Sequence, residues 1–112
     1  MSAQELAQKP TLFESFMGHV DRGQKTFAQL LDIYSERSRT MDPAEDRGDD
    51  LRVERFVRDM ATARWRSDVV IRIGVFDGGE LAIDGIHRGL AYLACIRAGI
   101  APERLPALQL AC

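Results

Sequence analysis

The apolar positions fall into blocks with different periods. Phe13, Phe16, Met17 and Val20 recur at i, i+3, i+4 and i+7, one face of a helix, and Thr11 with Glu14 has capping-box spacing. Gly23 is placed to stop that helix, and residues 1–9 read as a frayed tail. In "TFAQLLDIY", Phe27, Leu30, Leu31 and Tyr34 fit a helix, while Phe27, Gln29, Leu31 and Ile33 fit a strand less cleanly. The period favours a helix. From Ser35 to Asp50 the apolar positions vanish, and Pro43 and Gly48 act as breakers. This reads as a solvated connector, although unstructured stretches of that length often carry function.

Order returns at "LRVERFVRDMATARW", where Val53, Phe56, Val57 and Met60 make an apolar stripe and Asp49 or Asp50 is placed to cap its start. Arg52, Arg55 and Arg58 lie on a neighbouring face and read as solvated. "DVVIRIGVF" is continuous and β-branched, which predicts a buried strand. "DGG" at Asp77–Gly79 signals a hairpin returning into "ELAID". The next helix should run from Ile86 to about Ala98, with Ile86, Leu90, Leu93 and Ala94 on one side. Arg97 suits its last turn and Gly99 its end. Pro102 and Pro106 bracket a turn into a last short strand, "ALQLAC". The order predicts an α+β fold, a small mixed sheet packed with helices. Residues 1–25 would form an N-terminal tail and amphipathic helix, and 26–112 the main unit of one compact domain.

Composition narrows the partners. A chain of 112 residues, 46% hydrophobic and 29% charged, suits one globular domain. No apolar run approaches a membrane span, and no signal pattern opens the chain, so a cytoplasmic location without membrane contact is expected. A net charge of −2 exerts no general pull on nucleic acid. Of the 15 basic side chains only Lys9 and Lys25 are lysines; that preference suits anion contacts but equally reflects base composition. Cys95 and Cys112 suit neither a disulfide framework nor a metal cluster, and Cys95 reads as a small core residue. No His/Cys group has zinc spacing, no Walker-type loop occurs, and no metal site is expected from the chain's own ligands. His19 reads as packing or surface, and Trp65 as partly core.

The candidate chemistry lies in "IDGIHRGLAYL", where Asp84, Gly85, His87, Arg88 and Gly89 crowd the junction between a strand and a helix. A helix start presents unpaired N–H groups and positive dipole character. Gly85 would let an anion approach that backbone, Arg88 would supply a donor fork, and His87 a further donor. A tight turn with Asp84 as N-cap and Arg88 in solvent accounts for the same residues without a ligand. Both readings stand at this point.

The stretch "GGELAIDGIHRGLAYLACIRAGI", after a helix and a β-branched strand, resembles the ParB/sulfiredoxin superfamily. Its members carry a hairpin leading into a D-G-x-H-R or G-G-x-H-R motif at a helix start. The resemblance spans roughly Leu51 to Leu110 and is strongest at Asp84–Arg88. It implies a nucleotide-binding fold that grips phosphates with the motif helix. Relatives use ATP to repair a cysteine sulfinic acid, bind and hydrolyse CTP, or phosphorylate free serine. It further implies that Gly85, His87 and Arg88 contact phosphate, that Asp84 shapes the site, and that ATP or another nucleoside polyphosphate binds with Mg²⁺. Ile86 stands where sulfiredoxins keep their catalytic cysteine, so sulfinic acid reduction is excluded. No helix-turn-helix or dimerisation tail follows the last strand, so these residues are not expected to carry a partition role by themselves.

The function expected from the resemblance is phosphoryl transfer to a small-molecule acceptor or nucleotide hydrolysis. Arg88 would bear phosphate charge, His87 would donate to it or shuttle a proton, and Glu36 would act as an acceptor-side base. Glu36, Arg37 and Arg39 would face the phosphates if "QLLDIY" led into the acceptor segment; an exposed charged loop is the simpler reading of those residues and of Asp42, Glu45, Asp46, Asp49 and Asp50. The alternatives are a non-catalytic nucleotide-sensing or partner-binding module, and a DNA-binding or nuclease-like protein, against which the negative charge argues. The face carrying Phe13, Phe16 and Met17 is expected to pack on the chain's own core, with burial against a second copy as the alternative; a homodimer or a protein partner is thus a further candidate.

Overall fold

The β-branched run 69–76 forms a strand, β3 (Val69–Phe76), that is paired on both sides. In this computed structural model, residues 2–11, 25–40, 48–65, 67–76 and 79–111 are described. β3 runs antiparallel to β4 (Gly79–Asp84), with Ile73 opposite Ala82. On its other side it runs parallel to β5 (Leu108–Ala111), with Ile71 opposite Leu110. β1 (Pro10–Thr11) lies parallel to the free side of β4 through Thr11 and Ala82, and antiparallel to β2 (Lys25–Thr26). The result is a mixed sheet in the order β2-β1-β4-β3-β5. Asp77, expected in the hairpin turn, lies outside the described residues.

Among the described residues, four α-helices accompany the sheet: α1 (Ala3–Gln8), α2 (Phe27–Thr40), α3 (Gly48–Ala61) and α4 (Ile86–Arg97). The fold is α+β, as expected. Its interior joins Val69, Ile71 and Ile73 of β3 to Phe27 and Leu30 of α2, Val53 and Met60 of α3, and Leu90 and Leu93 of α4. Cys95 lies in this core, its thiol donating to the Val57 carbonyl at 3.7 Å. Burial pushes that thiol above its ordinary pKa, as suits an inert packing residue. Among the described residues, no helix is long and apolar enough to cross a membrane.

Several boundaries differ from expectation. The segment read as a tail holds α1, started by Ser2, whose hydroxyl accepts from the Glu5 N–H at 3.2 Å, and anchored by Leu6 with 0% exposure. One core side chain in so short a helix leaves no period to detect. Thr11 sits in β1 and its hydroxyl donates to the Lys25 carbonyl at 2.7 Å; the rest of the helix expected after it lies outside the described residues. α2 is helical, and it continues through Ser35–Thr40, shortening the expected connector. A helix end made of polar residues carries no apolar rhythm. α3 begins at Gly48, so Asp49 and Asp50 fall inside its first turn rather than before it, and Asp50 is fully buried.

α4 ends as its sequence indicates. Gly99, with φ +95°, donates its N–H to Ile96 O at 3.0 Å, and the Ile100 N–H reaches back to Cys95 O at 3.1 Å. This crossed pair is the Schellman closure.

Candidate functional site

The turn between β4 and α4 is built on Gly85, the N-cap of α4, with φ +82° and ψ +14°. Asp84 does not cap the helix. Its Oδ1 accepts instead from the Gly85 N–H at 2.8 Å, one residue before the first turn. Gly85 closes that turn by accepting from the Gly89 N–H at 2.8 Å. Gly85 has no side chain with which to cap α4, and the positive end of the dipole of this twelve-residue helix lies at the turn.

Packing accounts for a glycine at both positions. A Cβ on Gly85 would collide with the Val70 carbonyl oxygen of β3, and its positive φ is one that side chains resist. A Cβ on Gly89 would stand 2.7 Å from Phe27 Cε1 and 3.0 Å from Ile71 Cδ1. These positions let α4 settle onto β3 and α2. The missing side chain of Gly85 makes room for the strand, a requirement independent of the expected approach of phosphate to the same turn.

Beside the turn lies a cleft of about 280 Å³. The turn lines it with Asp84, Gly85, Ile86, His87 and Arg88, and α3 adds Arg52 and Phe56. The motif residues are thus gathered, and they acquire a second guanidinium. The row Arg52, Arg55, Arg58 was visible in the sequence, but which arginine meets the turn depends on how α3 packs against α4. The Arg88 guanidinium lies over the Trp65 ring, 5.9 Å from its centroid, and that ring stands edge-on to Phe56 at 5.0 Å and 74°. Trp65 reaches this place through the end of α3. Ala63 takes φ +59°, while the Arg64 and Trp65 N–H groups donate to Asp59 O at 2.8 and 3.0 Å.

Glu36 is not part of this cleft. Phe27, at the start of α2, packs at Gly89 near the start of α4, whereas Asp32 and Ser35 meet Arg97 at 3.0 and 3.4 Å near the end of α4. The two helices run side by side in the same sense, which carries Glu36 toward the far end of α4. Arg37 and Arg39 follow later in α2, and Asp42, Glu45 and Asp46 lie outside the described residues.

Among the described residues no group of three His, Cys, Asp or Glu side chains could hold a metal. Asp84 is the carboxylate lining the cleft. One carboxylate with substrate phosphates is an ordinary Mg²⁺ environment, so the residues present fit a nucleotide-borne ion rather than a protein-built metal site. No protein-family model, curated protein or solved structure matches the chain.

Proposed function

We propose that this protein binds a nucleoside polyphosphate by its phosphates in the cleft beside the β4–α4 turn. The observation that carries the reading is convergence: the uncapped start of α4, Arg88 and His87 from the motif, and Arg52 from α3 line one cleft. Helix dipole and guanidinium groups favour the same ligand charge. The cleft, at about 280 Å³, has room for a phosphate chain. The likeness of "DGIHRG" to the ParB/sulfiredoxin motif supports the same assignment.

Arg88 and Arg52 would neutralise phosphate oxygens, and His87 would donate to one of them or hold a proton for a leaving oxygen. Asp84 would hold Mg²⁺ together with the phosphates, and that ion, when bound, would offset their charge. A sensing or regulatory module without turnover is the second reading. It is favoured by the position of Glu36, since the expected acceptor-side base stands at the other end of α4.

Thermal unfolding with ATP, GTP, CTP or ADP, with and without Mg²⁺, tests the proposal. Ligand at a hundred times its Kd stabilises by about 2.7 kcal/mol, roughly ten degrees or more for a domain of this size. The shift should occur with at least one nucleotide and shrink in both Arg88→Ala and Arg52→Ala. No shift with any of them removes the proposal. Phosphate release then separates turnover from binding.

A further inference from the structure

We infer that Trp65 is the positioning residue of the phosphate cleft, holding Arg88 ready for the anion; the inference rests on the phosphate-binding reading above. Arg88 is exposed, and an exposed arginine ordinarily samples many rotamers. Here its guanidinium lies over an indole face at 5.9 Å, within the range of a cation–π contact. A cation–π contact is made through the guanidinium's charge and does not consume its five N–H donors. Arg88 can therefore keep Trp65 and still meet a phosphate.

The ring is itself fixed. Phe56, which lines the cleft, braces it edge-on at 5.0 Å, and two N–H groups bound to Asp59 O set the backbone that carries it. Ala63 accepts a left-handed backbone to make that turn, a conformation disfavoured for a residue with a Cβ.

Calorimetric titration with inorganic tripolyphosphate and with ATP tests this in wild type, Trp65→Leu, Trp65→Tyr, Arg88→Ala and the Trp65→Leu/Arg88→Ala pair. Leucine keeps apolar bulk but has no π face, whereas tyrosine keeps the face. Affinity should fall about two- to fivefold in Trp65→Leu, the effect of an exposed cation–π contact, and stay within about twofold of wild type in Trp65→Tyr. In the Arg88→Ala background, Trp65→Leu should cost nothing more, which a purely structural role would not produce. Trp65 is the sole tryptophan, so tripolyphosphate should also change the emission of the wild type, a readout that stands if Trp65→Leu fails to fold. Binding that is indifferent to Trp65→Leu overturns the inference and leaves the phosphate-binding reading intact. So do equal losses in the Leu and Tyr variants, or an emission unmoved at saturating ligand. A wild type that binds neither anion overturns both.

Discussion

Gly89 is the socket for Phe27: a Cβ at position 89 would stand 2.7 Å from Cε1 of that fully buried ring. Gly89→Ala alone should destabilise by about 1–2 kcal/mol, because the overpacking cost exceeds the gain in helix propensity. In a Phe27→Leu background the ring is gone and the same substitution should become neutral or stabilising, by up to about 1 kcal/mol. Denaturant unfolding of the four proteins reads the change of sign. Equal effects of Gly89→Ala in the two backgrounds would mean that the ring does not fill the notch.

Gly85 is constrained twice, by φ +82° and by the Val70 carbonyl behind it. Gly85→Ala should cost about 2–4 kcal/mol, combining left-handed strain with a collision against main chain that cannot turn aside. The loss should be the same with and without nucleotide in the cell, measured by urea midpoint. A loss seen only in nucleotide affinity would mean that the glycine serves the anion there.

Asp84 brings a negative charge into a cleft otherwise lined by Arg52, His87 and Arg88. Without Mg²⁺ that carboxylate opposes phosphate, so Asp84→Asn should tighten ATP binding by about two- to tenfold at low salt. With Mg²⁺ the order should reverse, because the carboxylate then has a cation to share. Glu36→Gln should leave both affinities unchanged, its helix having carried it toward Arg97. Titrations of the two variants with and without the ion decide between this division of labour and a shared one.

Alkaline stability should be set from inside the core. Burial pushes the Cys95 thiol upward, and burial together with the Glu103 charge does the same for the Tyr92 phenol. Each raised group is held in its protonated form by folding. Their contribution is complete below the unfolded thiol value of about 8.5 and is lost as pH climbs through the folded values. The urea midpoint should be level from pH 7 to 8 and fall above about 9, and Cys95→Ala should fall less steeply across the thiol range. Parallel curves for the two proteins would remove Cys95 from the account.

The hairpin and α4 were legible in the sequence because their signals are local. A β-branched run, a turn dipeptide, an apolar face and a terminal Gly99 each act within a few residues. α1 was not legible, since its burial rests on Leu6 alone. The polar end of α2 is not legible because a helix end of polar residues and a loop have the same composition. Within the site, Asp84, Gly85, His87 and Arg88 stand out as a string, but the packing demand on Gly85 is not legible because Val70 is remote in sequence. Arg52 joins them only when α3 packs on α4, and Trp65 only when the chain doubles back at Ala63. Glu36 shows the reverse case: a carboxylate near in sequence logic, taken elsewhere by helix direction.

The pairing of β1 with β4 has a consequence for the order of assembly. Thr11 must find Ala82, across most of the chain, whereas β3 meets β4 through a tight reversal and α4 follows at once. Closing the long loop costs entropy that the hairpin does not face. The hairpin and α4 should therefore collapse first, with β1 and β2 docking last on a sheet edge already in place. The same two short strands should exchange their amide protons soonest in the native protein, while β3, flanked on both sides, keeps its protons until the whole molecule opens.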